Sequence, residues 1–284
     1  MKGGYFLLNG QFHKESDAIF GLADLAGRAE GFKEAFRAES NEILFQESVS
    51  RHLLATAETT ETDLTGLIDS DGRLLRKDVS RLLNKNKLYL SARIEIQIYS
   101  VDHKINILLR ATEMERDFYP VQEPGVIVSF YHHHKLDISP VPSYFTAGLF
   151  VRQAAARMAK ELNQPSMILL NREGNACESL HGSFAILNNK DVTFLSATSG
   201  GYRCAITEEV IQSVQMAGYH TVEKEKITPE ELLEAEELFI FDACYGIRKV
   251  LGLEDSRYFS TKTQIIADKL SELARKDRSE RVES

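Results

Sequence analysis

The sequence predicts an α+β protein with two domains, and three observations lead to this fold class. A chain of 284 residues is long enough to build two hydrophobic cores. Its first part combines apolar strand patterns with amphipathic helices, which predicts a small domain of one sheet plus helices. Pro120 and the Glu123-Pro124-Gly125 turn then interrupt the pattern and predict a linker. We therefore expect a small N-terminal domain over residues 1–120 and a larger C-terminal domain over residues 121–284.

The composition narrows the class of partner. The chain is 43% hydrophobic and 27% charged, as in an ordinary globular protein. Its net charge of −8 and the lack of long basic tracts argue against nucleic acid or an anionic membrane as partner. No apolar run approaches ~18 residues, and no signal-peptide pattern is present, so we expect a cytoplasmic protein. The three cysteines are widely spaced and do not suggest a disulfide framework.

Strand and helix patterns in the N-terminal part justify the smaller domain. Tyr5–Leu8 reads as a strand, and the Asn9-Gly10 pair that follows is a strong hairpin signal. Residues 47–57 carry apolar side chains at helical spacing. Residues 88–99 and 105–112 predict two long strands joined by a short turn. Together these elements predict one sheet covered by helices.

The central stretch of the larger domain surrounds one acidic residue. Two apolar runs, Met167–Leu170 and Phe184–Leu187, flank a polar turn at residues 171–174, and we expect them to pair as strands. Glu178 lies between them and is followed by small, polar residues. A carboxylate fixed at a strand end is suited to a ligand that carries a nitrogen. The alternative interpretation is an exposed acid in a hairpin.

The order of motifs around Glu178 extends beyond this stretch. An Ala-rich helix over residues 150–162 precedes it, and an Ile206-Thr207 helix start follows it. Further on, Thr228-Pro229 opens a segment that ends at Phe239. This order resembles the class IV pyridoxal-phosphate (PLP) aminotransferases, which include branched-chain and D-amino-acid transaminases and aminodeoxychorismate lyase. The resemblance implies a D-amino-acid-aminotransferase-like fold, with a small N-terminal α/β sandwich and a larger C-terminal, β-barrel-like domain with helices.

The resemblance also implies a cofactor site. Arg51 matches an arginine that grips the PLP phosphate, a task that suits the forked donors of guanidinium. Glu178 matches the glutamate that pairs with the pyridine nitrogen. Ile206 and Thr207 match a helix start whose backbone N–H groups and dipole favour the phosphate. Ala243 stands where the family has a threonine that caps the phosphate.

The catalytic lysine of the family has no counterpart at the expected position. In the family a lysine lies ten residues before an Ala-x-x-x-Ala pattern, which Ala155 and Ala159 match here, so its position is Phe145. That lysine forms the Schiff base with the cofactor and then moves the proton, and a phenyl ring can do neither. We therefore identify no catalytic residue and expect a protein degenerate for standard transamination, a pseudoenzyme candidate. The family also implies an amino acid or 2-oxo acid ligand and a homodimer.

Two alternatives stay open. Lys135 could supply the imine in place of the missing lysine and preserve a transaminase or lyase activity. In the second alternative, the chain binds a metal or another small ligand without catalysis. The thiols of Cys177, Cys204 and Cys244 would then join His181, because all of these residues fall on loops of the family pocket. The run His132–His134 places two imidazoles on one strand face, but it has no companion ligand, so we expect no metal there.

Overall fold

The computed structural model describes residues 4–17, 30–101, 104–114, 119, 125–137, 149–180, 182–196 and 199–282. Its chain forms two compact units, with the boundary along the chain at residues 117–118. Each unit combines a β-sheet with helices. This arrangement confirms the predicted α+β fold class.

Among its described residues, the first unit contains a six-stranded sheet and two helices. The strand order is β2-β1-β6-β5-β3-β4. The hairpin predicted at Asn9-Gly10 is confirmed, with φ angles of 48° and 76° that suit these two residue types. The elements are β1 Tyr5–Leu8, β2 Gln11–Lys14, β3 Glu30–Glu39, β4 Glu42–Ile43, α1 Gln46–Thr59, α2 Arg73–Asn86, β5 Ser91–Val101 and β6 Lys104–Met114.

Both faces of β3 are buried, and each includes charged groups. Phe32 and Phe36 lie opposite Ile98 and Ile94 of β5, and all four side chains are buried. Glu34, on the same face of β3, is buried against His52 of α1 at 3.2 Å. On the other face of β3, Arg37 and Glu39 are buried as an ion pair.

The second unit is built around a nine-stranded sheet. Eight strands follow the order β12-β11-β10-β13-β14-β7-β8-β9, and β15 pairs with β14. The strands are β7 Val126–Leu136, β8 Met167–Asn171, β9 Ala176–Ser179, β10 Ser183–Asn188, β11 Asp191–Leu195, β12 His220–Lys224, β13 Glu237–Asp242, β14 Gly246–Leu253 and β15 Ser256–Arg257. The helices are α3 Leu149–Glu161, α4 Thr207–Met216, α5 Pro229–Leu233 and α6 Thr261–Val282.

The pairing predicted between the two central apolar runs is wrong. The strand that contains Met167–Leu170 pairs with β7 and β9, whereas the strand that contains Phe184–Leu187 pairs with β11 and β13. The short, fully buried strand β9 lies between them in the chain and takes the place beside β8. Because β9 contains the charged residue Glu178, its sequence does not show the apolar pattern of a buried strand. Glu178 consequently lies inside a strand and not in a loop.

The helices of the second unit begin at clear sequence signals. Thr228 caps α5 through a complete capping box with Glu231, and Pro229 occupies the first turn. At the start of α6, the buried carboxylate of Glu237 accepts the backbone N–H groups of Lys262 and Thr263 at 3.0 and 2.7 Å. Within the described part of the chain, no helix has the length and apolar character needed to cross a membrane.

Candidate ligand site around Glu178

Glu178 is paired with an arginine that sequence reasoning missed. Arg152, in the first turn of α3, donates from Nε to Oε1 at 2.7 Å and from Nη2 to Oε2 at 2.9 Å. The side chains of Arg152 and Glu178 are only 10% and 1% exposed. This is a bidentate, charge-assisted contact, the strong geometry for a guanidinium and a carboxylate.

A backbone amide completes the surroundings of the carboxylate. The N–H of Tyr202 donates to Oε2 of Glu178 at 2.9 Å. The carboxylate thus accepts three hydrogen bonds from Arg152 and Tyr202, and a carboxylate has about four acceptor positions. Glu178 therefore connects helix α3, strand β9 and the segment that leads into α4.

The segment over residues 199–206 lies directly against β9 and β10. The hydroxyl of Ser183 donates to the carbonyl of Tyr202 at 2.8 Å and accepts the N–H of Cys204 at 3.1 Å. At Gly201, an added Cβ atom would lie 1.9 Å from the carbonyl oxygen of Cys177, so only glycine allows this approach. The amide of Tyr202 reaches Glu178 because the backbone beside it packs this closely.

The start of α4 carries the predicted phosphate residues. Ile206 and Thr207 are buried. The hydroxyl and the N–H of Thr207 both donate to the carbonyl of Cys204, at 2.6 and 3.1 Å. The first turn also carries two acidic residues, Glu208 and Glu209. Their negative charges interact favourably with the helix dipole, as the charge of a bound anion would.

The other predicted cofactor residues lie in different surroundings. Ala243, at the end of β13, is buried, and its carbonyl accepts the hydroxyl of Tyr119 at 3.1 Å. Arg51 belongs to the first unit, where its exposed side chain donates to the hydroxyl of Ser48 at 3.1 Å. The roles predicted for Arg51, Ile206, Thr207 and Ala243 toward a phosphate stay predictions. Phe145 and His181 lie outside the described residues.

All three cysteines are buried thiols, and no disulfide joins them. Burial, together with the charge of Glu178, raises the pKa of the Cys177 thiol well above its ordinary value, although the charges of Arg152 and Lys135 act in the opposite direction. A protonated thiol of this kind is a poor metal ligand and a poor nucleophile. Across the ranges that the structure describes, no three His, Cys, Asp or Glu side chains are grouped to hold a metal ion.

The run of histidines on β7 lies at the surface. His132, His133 and His134 are all exposed. Rings two residues apart along the strand contact each other, Phe130 with His132 at 5.8 Å and Tyr131 with His133 at 5.7 Å between ring centroids, as alternation predicts. The pairing of β7 with β8 shifts register between Tyr131 and Leu136.

A small cavity lies beside this network. Its volume is about 20 Å³, which is room for a single water molecule. Its lining includes the side chains of Cys177, Ser183, Tyr202 and Thr207.

These contacts do not fit PLP bound in the way that the resemblance implies. A protonated pyridine nitrogen needs a carboxylate whose charge is not already compensated, and Arg152 compensates that of Glu178. The phosphate would need donors at the start of α4, where the N–H and the hydroxyl of Thr207 both bind Cys204. In the arrangement observed here, the chain itself occupies the groups that would hold the cofactor.

Several solved structures share the fold of this chain. The branched-chain aminotransferase of Thermoproteus uzoniensis, solved with norvaline, matches with a TM-score of 0.80 at 18% identity over 96% of both chains. The branched-chain amino acid aminotransferase of Escherichia coli matches with a TM-score of 0.76 at 16% identity, over 93% of this chain and 92% of that one. A PLP-bound hypothetical aminotransferase from Mycobacterium tuberculosis matches at 12% identity with a TM-score of 0.77, over 96% of this chain and 100% of that one.

The fold is thus that of the branched-chain aminotransferases. Residues 33–253 also match the family described as amino-transferase class IV, so this chain belongs to the class IV aminotransferases. Among curated proteins, none matches the chain. The resemblance seen in the motif order is therefore confirmed at the level of the family.

Proposed function

We propose that this chain is a class IV aminotransferase-family protein that has lost standard transamination and binds a small molecule of the amino acid or 2-oxo acid class. The observation that carries the proposal is Phe145 at the position of the catalytic lysine. Ala155 and Ala159, from which this position is counted, support the register because both are buried where α3 packs on Met167 and Leu169. Without an amine at residue 145, no imine can form there.

The same resemblance supports further parts of the proposal. We infer that Arg51, Ile206 and Thr207 contact an anionic group of the ligand, with Ala243 beside it. Thr207 would do so by exchanging its hydrogen bonds to the carbonyl of Cys204 for bonds to the ligand. We also propose a cytoplasmic homodimer, as the family implies. None of these assignments requires turnover, so they are compatible with a protein that only binds its ligand.

The decisive experiment is to look for an imine. Purified protein is incubated with PLP, reduced with borohydride and mapped by mass spectrometry, and transamination is assayed with several amino acids. We expect no pyridoxyl adduct at any lysine and negligible activity. Phe145→Lys should introduce a trappable amine, and Phe145→Leu serves as the matched control. An adduct on a native lysine of the wild-type protein would contradict the proposal.

One observation favours a second candidate, an active enzyme that uses Lys135. This half-buried lysine lies near the end of β7, and its charge lowers the pKa of Cys177, the residue before Glu178. Lys135 is therefore within electrostatic reach of the network. If it forms the imine, Lys135→Met removes the adduct and the activity, whereas Lys160→Met, at an exposed position on α3, leaves both unchanged.

A further inference from the structure

The buried partner of Glu178 determines which charge the site can accept. Arg152 and Glu178 are 10% and 1% exposed, and their contact is bidentate. We propose that Arg152 is the resident counter-ion of Glu178 and makes the site select against cationic ring ligands, such as a protonated pyridine, in favour of uncharged ones. The inference adds a selectivity residue to the proposed function and depends on it only for the existence of a ligand site.

The physical reason is charge balance in a site that excludes water. The pair Arg152–Glu178 is close to neutral, so it offers no net attraction to a third charge. A pyridinium that took the carboxylate would leave the guanidinium buried without its partner. Breaking a buried ion pair in this way weakens binding by about a hundredfold or more relative to a site with a free carboxylate.

Arg152 is also held in place by the surrounding structure. It lies three and seven residues before Ala155 and Ala159 on α3, and both alanines are buried. Oε2 of Glu178, which binds Nη2 of Arg152, also accepts the N–H of Tyr202, whose segment is bound to Ser183. The guanidinium is therefore held through both oxygens of a carboxylate that the backbone also binds.

Two probes that differ only at the ring nitrogen measure its contribution to affinity. Pyridoxamine 5′-phosphate has no aldehyde, so its binding does not depend on any lysine, and an analogue with CH in place of the ring nitrogen serves as its match. Affinities are measured by calorimetry for the wild-type protein, Arg152→Met and Arg152→Lys. We expect the wild type and Arg152→Lys to bind the CH analogue at least as tightly as pyridoxamine 5′-phosphate. Arg152→Met should bind pyridoxamine 5′-phosphate about a hundredfold more tightly than the wild type does, and should prefer it over the analogue.

The controls separate charge from folding. In Arg152→Met/Glu178→Gln the preference should disappear, because no carboxylate remains to hold the ring nitrogen. A tenfold preference for the pyridine probe in the wild type would overturn the proposal. So would a folded Arg152→Met protein that gains no affinity, or an equal gain in Arg152→Lys, which would indicate a steric role. If Arg152→Met does not fold, the wild-type comparison still decides. Equal or tighter binding of the analogue supports the proposal, whereas absence of binding by both probes overturns it, because the proposal requires a ligand site.

The probe measurements and the imine experiment test different claims, and no single result would contradict both. A pyridoxyl adduct on Lys135 would contradict the proposed loss of transamination, whatever the two probes show. Conversely, a preference for the pyridine probe in the wild type would contradict the role of Arg152 even if no adduct forms.

Discussion

Each unit of this protein buries an arginine–glutamate pair. One pair joins two residues of a single strand, and the other joins a helix to a strand. In the first unit Arg37 and Glu39 are two residues apart on β3, and Glu39 also accepts the hydroxyl of Ser91 on the neighbouring strand. In the second unit Arg152 and Glu178 are 26 residues apart and join a helix to a strand. The first pair lies within a sheet that the backbone ladder already holds. The second fixes segments that no ladder joins, so its loss should affect tertiary structure.

The largest expected effect comes from removing the guanidinium of the long-range pair. Arg152→Met should lower the free energy of unfolding by ~3–5 kcal/mol, because it leaves a buried carboxylate without its counter-ion. Arg37→Met should cost less, since Arg37 and Glu39 share one strand, whose ladder remains intact. Urea unfolding curves of the two variants measure the difference. Equal losses would remove the distinction between the two pairs.

A second carboxylate joins distant elements and allows a matched control. Glu237→Ala should cost ~2–3 kcal/mol, since two backbone N–H groups at the buried start of α6 lose their acceptor. Glu236→Ala, at the exposed neighbour that pairs with the ammonium group of Lys262, should change stability far less. Thermal unfolding of both variants tests this contrast. A similar cost for the two would show that burial of the carboxylate does not determine the effect.

The smallest expected effect concerns a hydrogen bond from an uncharged side chain, Tyr258, that also joins elements far apart in the chain. The hydroxyl of Tyr258 donates to the carbonyl of Leu232 at 2.8 Å, and burial raises the pKa of Tyr258 to about 12. Below the ordinary tyrosine pKa of ~10 both states are protonated, so this part of the stability is fully present. As the pH rises from 10 to 12, the unfolded state releases the proton first and stability falls, by ~1 kcal/mol at pH 11.

The measurement is the difference between wild type and Tyr258→Phe, because other tyrosines also ionise in this range. The stability of the variant should decrease less steeply between pH 10 and 12 than that of the wild type. Parallel curves would show that ionisation of Tyr258 is not coupled to unfolding.

Local signals in the sequence predicted much of this fold. The Asn9-Gly10 hairpin depends on neighbouring residues alone, and it is confirmed. The capping box of Thr228 and Glu231 is a local feature of the same kind. Patterns of side chains failed where tertiary pairing decides. The apolar runs Met167–Leu170 and Phe184–Leu187, for example, were expected to pair with each other, yet each pairs with other strands.

The site was predictable only in part, for a physical reason. Glu178 stood out because a carboxylate between apolar runs is unusual, but its partner Arg152 is far away in the chain. One signal was present: Arg152 shares the helix face of Ala155 and Ala159, so its side chain points toward the core. A charged residue on an apolar face requires a buried partner of opposite sign. Sequence alone does not identify that partner.

The close backbone approach at Gly201 limits which substitutions this protein can accept near Glu178. The side chains of Arg152 and Glu178 can be replaced together, as in the double variant above. The backbone at residue 201, in contrast, touches that of Cys177 and leaves no space for a methyl group. A library of single substitutions should therefore tolerate almost nothing at residue 201, while conservative changes elsewhere in the segment survive. New ligand preferences in this lineage would arise through side chains arranged on an unchanging stretch of main chain.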